Sequence, residues 1–233
     1  HDFVDAAFAT GATAALVCRG KIDPMKAAGP LAEVDDVPAA LESLAHAARA
    51  RSGAYITAVT GSVGKTSVKE ALRLALSKSG ETFASEKSFN NHIGVPLSLA
   101  RMPQDCAYGV FEVGMNHAGE LTRLSQMVRP FVAIVTTVEP AHLEFFDSVD
   151  DIAHAKAEIF DGLEPGGTAV LNRDNAYFGI LAAAARHVGA KILTFGAHTD
   201  CDFRLAGCAL RANSSTGILT NLLHIMFYNI NQL

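Results

Sequence analysis

AYITAVTGSVGKTSVKE, residues Ala54 to Glu70, passes from a run of β-forming residues (Tyr55 to Val59) through a break at Gly61 to Gly64-Lys65-Thr66-Ser67. It then enters a helical pattern in which Val68, Leu72 and Leu76 recur every four residues. A strand, a glycine turn and a helix in that order is the setting of a P-loop. Glycines let the backbone approach a phosphate with no Cβ in the way, and the free N–H groups and dipole of a helix start favour an anion. Gly61, Ser62, Gly64, Lys65, Thr66 and Ser67 are therefore the candidate phosphate-binding set. Lys65 can reach the outer phosphates, and the Thr66 hydroxyl can ligate Mg²⁺. The spacing departs from G-x-x-x-x-G-K-[ST]: Val59 stands where the longer form has glycine. An ordinary strand-to-helix turn is the competing reading.

Outward from this loop the chain alternates. Strands are predicted over 55–60, 82–84, 107–113, 131–138, 168–171 and 191–195, and helices over 65–79, 95–101, 119–127, 149–163 and 176–187. Such alternation implies an α/β fold with a mostly parallel, doubly wound sheet, whose ligands sit beyond the C-terminal ends of the strands. Ahead of the loop, 2–10 reads as helix and 13–18 as strand, half of an α/β unit. Residues 20–35 read as a connector and 38–51 as a helix. Arg51-Ser52-Gly53 is a break, so 1–51 is assigned to the end of a smaller α/β domain and 52–211 to the P-loop domain. The remainder, 212–233, is an unassigned tail, with Asn213-Ser214-Ser215 loop-like and 222–233 apolar.

Composition narrows the classes. Of 233 residues 49% are apolar, ample for a core, and the formal charge of −5 gives no basic footprint for nucleic acid. No apolar run approaches the ~20 residues that span a bilayer. Cys18, Cys106, Cys201 and Cys208 are scattered with no C-x-x-C pair, the pattern of reduced thiols. The chain opens on His1 with no Met and no charged-then-apolar leader, so it is expected to begin inside a longer protein, and the missing targeting signal carries little weight.

Four further positions can carry chemistry. Glu112 closes the strand AYGVFEV, where a carboxylate faces the ligand crevice and can hold Mg²⁺; capping a helix or pairing with a cation is the alternative. His142 lies in the loop TVEPAHLEFF and can ligate a metal, or simply be solvated. Lys156 shares a helical stripe with Ile152, Ile159, Phe160 and Leu163, which places it on an apolar face. A desolvated lysine can lose its proton and take up CO₂ as a carbamate; snorkelling to the rim is the alternative. Asn90 and Asn91, in SFNNHIGVP, suit a polar substrate or a structural turn.

Taken together, TGSVGKTS, SFNNHIGVPLSLARMP, FEVGMNHAGEL, TTVEPAHLEFF, AKAEIFDGL and VLNRDN closely resemble the Mur ligases, from about Phe3 to Arg211. The resemblance implies a central ATPase domain flanked by a UDP-substrate domain and a Rossmann-like domain. It implies amide formation through an acyl phosphate. FNNxIGVPL and EVGMNHxGEL imply UDP-N-acetylmuramoyl-tripeptide and D-alanyl-D-alanine as substrates, in peptidoglycan synthesis in the bacterial cytoplasm, with no nucleic acid or membrane insertion and a monomer at full length. It further implies that Lys65 and the loop glycines hold ATP, that Thr66 and Glu112 hold one Mg²⁺, that His142 and a carbamylated Lys156 hold a second, and that Asn90 and Asn91 face the substrate. Against the family pattern, only the end of the N-terminal domain is matched, the His-Asn pair that seats adenine is not found, and the C-terminal ligase domain is absent. These residues are accordingly expected to form an incomplete fragment, inactive alone. A non-catalytic nucleotide-binding module and a folylpolyglutamate synthase-like ligase are the alternatives.

Overall fold

The computed structural model describes residues 3–23, 27–141, 144–211 and 214–220. Helix α1 (Val4–Ala9) leads into β1 (Ala15–Cys18), which pairs in parallel with β2 (Leu31–Val34) as a separate two-stranded sheet. β2 falls within the stretch read as connector. Only Leu31 and Val34 of its four residues are even partly buried, and its pairing with β1 crosses a long connection, so no local apolar pattern announces it.

Helix α2 (Val37–Arg51) starts where the Asp36 side chain accepts from Ala39 N at 2.8 Å, with proline in its first turn. It packs on the unit that follows: Ala45 is fully buried, and the buried Arg49 donates to the carbonyls of Val128 and Arg129 at 2.8 and 2.9 Å.

The order then runs β3 (Tyr55–Thr60), α3 (Lys65–Leu76), β4 (Thr82–Ala84), α4 (Gly94–Arg101), β5 (Tyr108–Glu112), α5 (Glu120–Val128), β6 (Val132–Val135), α6 (Val149–Ala157), β7 (Thr168–Asn172), α7 (Phe178–His187) and β8 (Lys191–Gly196). Strands β9 (Phe203–Arg211) and β10 (Ser214–Thr220) close the sheet, whose order is β10-β9-β8-β7-β6-β3-β5-β4. All neighbours are parallel except β9 and β10. The α/β expectation therefore holds, with an antiparallel pair added at one edge. Ser214 and Ser215, read as loop, sit in β10 opposite Arg211 and Leu210; the 222–233 stretch lies outside the described residues. Among the described residues no helix is long and apolar enough to cross a membrane.

Burial explains the central strands. Val110, Phe111, Ala58, Val59, Ala133, Val135, Ala169 and Leu171 are all inaccessible, as expected of parallel strands covered by helices. The predicted helix over 149–163 divides in two, because α6 ends at Ala157 and a 3-10 turn follows at Glu158–Gly162. The turn is drawn onto α5. Glu158 accepts from Gly119 N and Thr122 N at 2.6 and 3.2 Å, and the Ser125 hydroxyl donates to the Ile159 carbonyl.

Candidate active site

The strand order reverses at β3, which has β5 on one side and β6 on the other. The crevice beyond the C-terminal end of such a strand is where an open α/β sheet takes its ligand. There the chain turns through Gly61 (φ +145) and Gly64 (φ +86) into α3. A Cβ on Gly61 would lie 1.9 Å from Thr136 Oγ1, so glycine is required by contact as well as conformation. No side chain caps α3, which leaves its first-turn N–H groups to an outside acceptor. Lys65 folds back to donate from Nζ to Gly61 O at 2.7 Å. Burial, its largest influence, lowers its pKa, and Glu112 opposes this.

Glu112 ends β5 at 1% exposure. Its Oε2 accepts from the Thr66 hydroxyl and its Oε1 from Asn90 Nδ2, both at 2.8 Å. Among the described residues no cation lies within ion-pair distance of it. A buried carboxylate held by two neutral donors, with the Lys65 charge nearby, fits a divalent cation. Asn90 is placed at the crevice. Asn91 has a turn-forming role at the start of α4, where its Oδ1 accepts from Ile93 N and Gly94 N at 3.2 and 2.8 Å.

Ser62 sits with the other loop residues, but its groups are taken up by the segment after β6. Its N–H donates to Thr137 O at 2.9 Å, and its hydroxyl both donates to Glu139 O and accepts from Glu139 N. Ser62 thereby ties the phosphate loop to the segment after β6. Ser67 is exposed in the first turn of α3. His142 lies outside the described residues; the segment leading to it is held by Asn175, which donates to Thr137 Oγ1 and Val138 O at 3.0 and 2.9 Å.

Lys156 is 3% exposed on α6. Burial first, and the charge of Lys65 second, lower its pKa to about 8. Among the described residues it has no hydrogen-bond or ion-pair partner, so the snorkelling alternative fails. At mildly alkaline pH a sizeable share is neutral amine, the form that adds CO₂. A carbamate there would offset the neighbouring Lys65 charge.

Sequence reasoning missed Thr136, Asn175 and Lys69. Thr136 and Asn175 act through loop-to-loop contacts, which no periodicity reports. Lys69 was legible: it lies three residues before Leu72 and seven before Leu76, on the apolar stripe of α3. Two shallow clefts, one beside Phe3, Ala7 and Val37 and one beside Ile180, Ala184 and His187, do not include the phosphate loop. The convergence of polar groups at β3 marks the site.

The family model of the Mur ligase middle domain matches residues 59–229, beyond Arg211. A UDP-N-acetylmuramoyl-tripeptide--D-alanyl-D-alanine ligase of Escherichia coli is 43% identical over 175 residues, which are 75% of this chain and 38% of that protein. A solved MurF of Acinetobacter baumannii superposes with a TM-score of 0.80 at 31% identity, covering 94% of this chain and 47% of that one. A MurF ligase of Thermotoga maritima in complex with ADP gives 0.77 at 26% identity, covering 94% and 49%. An FPGS mutant of L. casei gives 0.63 at 16% identity, with 78% and 55% covered, a likeness of fold alone. The chain spans less than half the length of the curated relatives it matches.

Proposed function

This chain belongs to the Mur ligase family, and on that premise we propose that it supplies the nucleotide and acyl-phosphate centre of an ATP-dependent ligase. That ligase joins D-alanyl-D-alanine to UDP-N-acetylmuramoyl-tripeptide in the bacterial cytoplasm. The observation that carries the reading is the buried Glu112, shared between Thr66 of the phosphate loop and Asn90 of the segment after β4. One carboxylate thus joins the ATP side of the crevice to the substrate side. The names of the relatives, and the ADP held by one of them, support the same assignment. The FPGS likeness supports no substrate.

In this reading Lys65 swings from Gly61 O to the outer phosphates, beside the first-turn amides of α3. Thr66 and Glu112 would hold Mg²⁺, which neutralises phosphate charge during phosphoryl transfer. His142 and a carbamylated Lys156 would hold a second ion. The substrate carboxylate attacks the γ-phosphorus and ADP leaves. The incoming amine then attacks the acyl carbonyl, loses a proton and expels phosphate. Positioning the two reactants supplies most of the acceleration, so the proposed activity belongs to the whole ligase.

The test is calorimetric titration of Mg·ADP and Mg·ATP into this chain and its Lys65→Ala variant, with circular dichroism on both. Lys65→Ala is expected to lose binding and keep its spectrum, because the one hydrogen bond of its side chain is to Gly61 O in the loop. Equal affinity in the two proteins overturns the assignment.

A further inference from the structure

Lys69 is fully buried on α3, one turn beyond Lys65. Its Nζ donates to Ser85 O at 2.8 Å and to Lys87 O at 2.5 Å, and lies 3.4 Å from Glu70 Oε1. Burying an ammonium is costly unless its donors are met, and here two of them are spent on one short segment. That segment follows β4 and leads to the site. Ser85 donates its N–H to Val110 O and accepts from Glu112 N at its hydroxyl, at 3.0 and 3.2 Å. Lys87 has φ +47, a left-handed conformation unfavourable for a side-chain-bearing residue. Its side chain is exposed, so the carbonyl held by Lys69 is its inward contact. Three residues on, Asn90 accepts from Gly114 N at 2.8 Å and donates to Glu112 Oε1.

We propose that Lys69 is a positioning residue: its ammonium pins the Ser85–Lys87 turn, so that Asn90 meets Glu112 and aims that carboxylate at the divalent cation. This rests on the nucleotide reading for the cation but not for the pinning, and the two are read separately. The polar contacts of Lys69 are with Ser85, Lys87 and Glu70, and not with Thr66, Asn90 or Glu112. Groups that orient a metal ligand typically change metal affinity by about 10- to 100-fold.

The experiment compares the chain with Lys69→Met, which keeps the volume and removes the donors. Amide hydrogen exchange reads the turn. The Gly114 and Gly94 amides, bonded to Asn90 O and Asn91 Oδ1, are expected to exchange at least about 10-fold faster, while β3 amides are unchanged. ADP affinity is measured in EDTA and in Mg²⁺. The affinity in EDTA should stay, and the gain on adding Mg²⁺ should fall about 10-fold or more. Unchanged exchange at Gly114 overturns the proposal, as does an equal fall with and without Mg²⁺, which would mark a purely structural lysine. If the unsubstituted chain binds no ADP, the nucleotide reading fails, while the exchange data still decide the pinning. If Lys69→Met does not fold, Asn90→Ala decides, since the route to Glu112 runs through Asn90. A lost Mg²⁺ gain sustains the proposal, and a retained one overturns it.

Discussion

Replacing Lys156 by methionine removes an ammonium from a site with 3% exposure while keeping an unbranched chain of similar length. In the folded protein the Lys156 pKa drops from the ordinary 10.5 to about 8, through burial first and the Lys65 charge second. At about 1.4 kcal/mol per pH unit, that drop is worth about 3 kcal/mol. Its sign follows from proton counting. Between pH 8 and 10.5 the unfolded chain holds a proton on Lys156 that the folded chain has shed, so stability rises with pH through this window. Below pH 8 the folded state bears the full cost of the buried charge. Lys156→Met should therefore be more stable than the parent by about 3 kcal/mol near pH 7, beyond any constant packing difference, with the gap closing by pH 10.5. Urea unfolding of both proteins in CO₂-free buffer measures the difference, in which other titrating groups cancel. A gap independent of pH would refute the buried, unpartnered lysine. With ¹³C-bicarbonate near pH 8.5, the neutral amine should add CO₂, release a proton and give a carbamate resonance in the parent that Lys156→Met lacks.

In the complete ligase, Lys156→Arg should lose activity because a guanidinium stays charged and cannot be carbamylated; full activity would refute the carbamate role. Lys156→Ala should regain part of its activity with short carboxylic acids. Gly61→Ala should abolish Mg·ADP binding in a calorimetric titration, since its Cβ would fall 1.9 Å from Thr136 Oγ1 at φ +145. Gly162→Ala should cost about 3 kcal/mol in a urea melt, as its Cβ would meet Ser125 backbone at 2.1 Å where the 3-10 turn docks on α5; a cost near zero would show that the turn can move aside.

What the sequence determined by itself was local. Tyr55–Thr60, Gly61, Gly64 and α3 are specified by residues adjacent in the chain, so the phosphate loop and the parallel α/β order were readable, as were Glu112 at a strand end and the Ser148 cap of α6, which accepts from Asp151 N at 3.1 Å. The same stripe argument that buried Lys156 would have buried Lys69. Only the tertiary structure decided that Asn90 faces Glu112 while Asn91 turns the chain, because the two amides are neighbours of one type and only the packing around Glu112 and α4 separates them. It also decided that α6 stops at Ala157, where Thr122 and Ser125 of α5 compete for the turn that follows. The pairing of β1 with β2 across a long connection was likewise settled in space. A short strand acquires its identity from the partner that satisfies its backbone, and that partner leaves no trace in its own few residues.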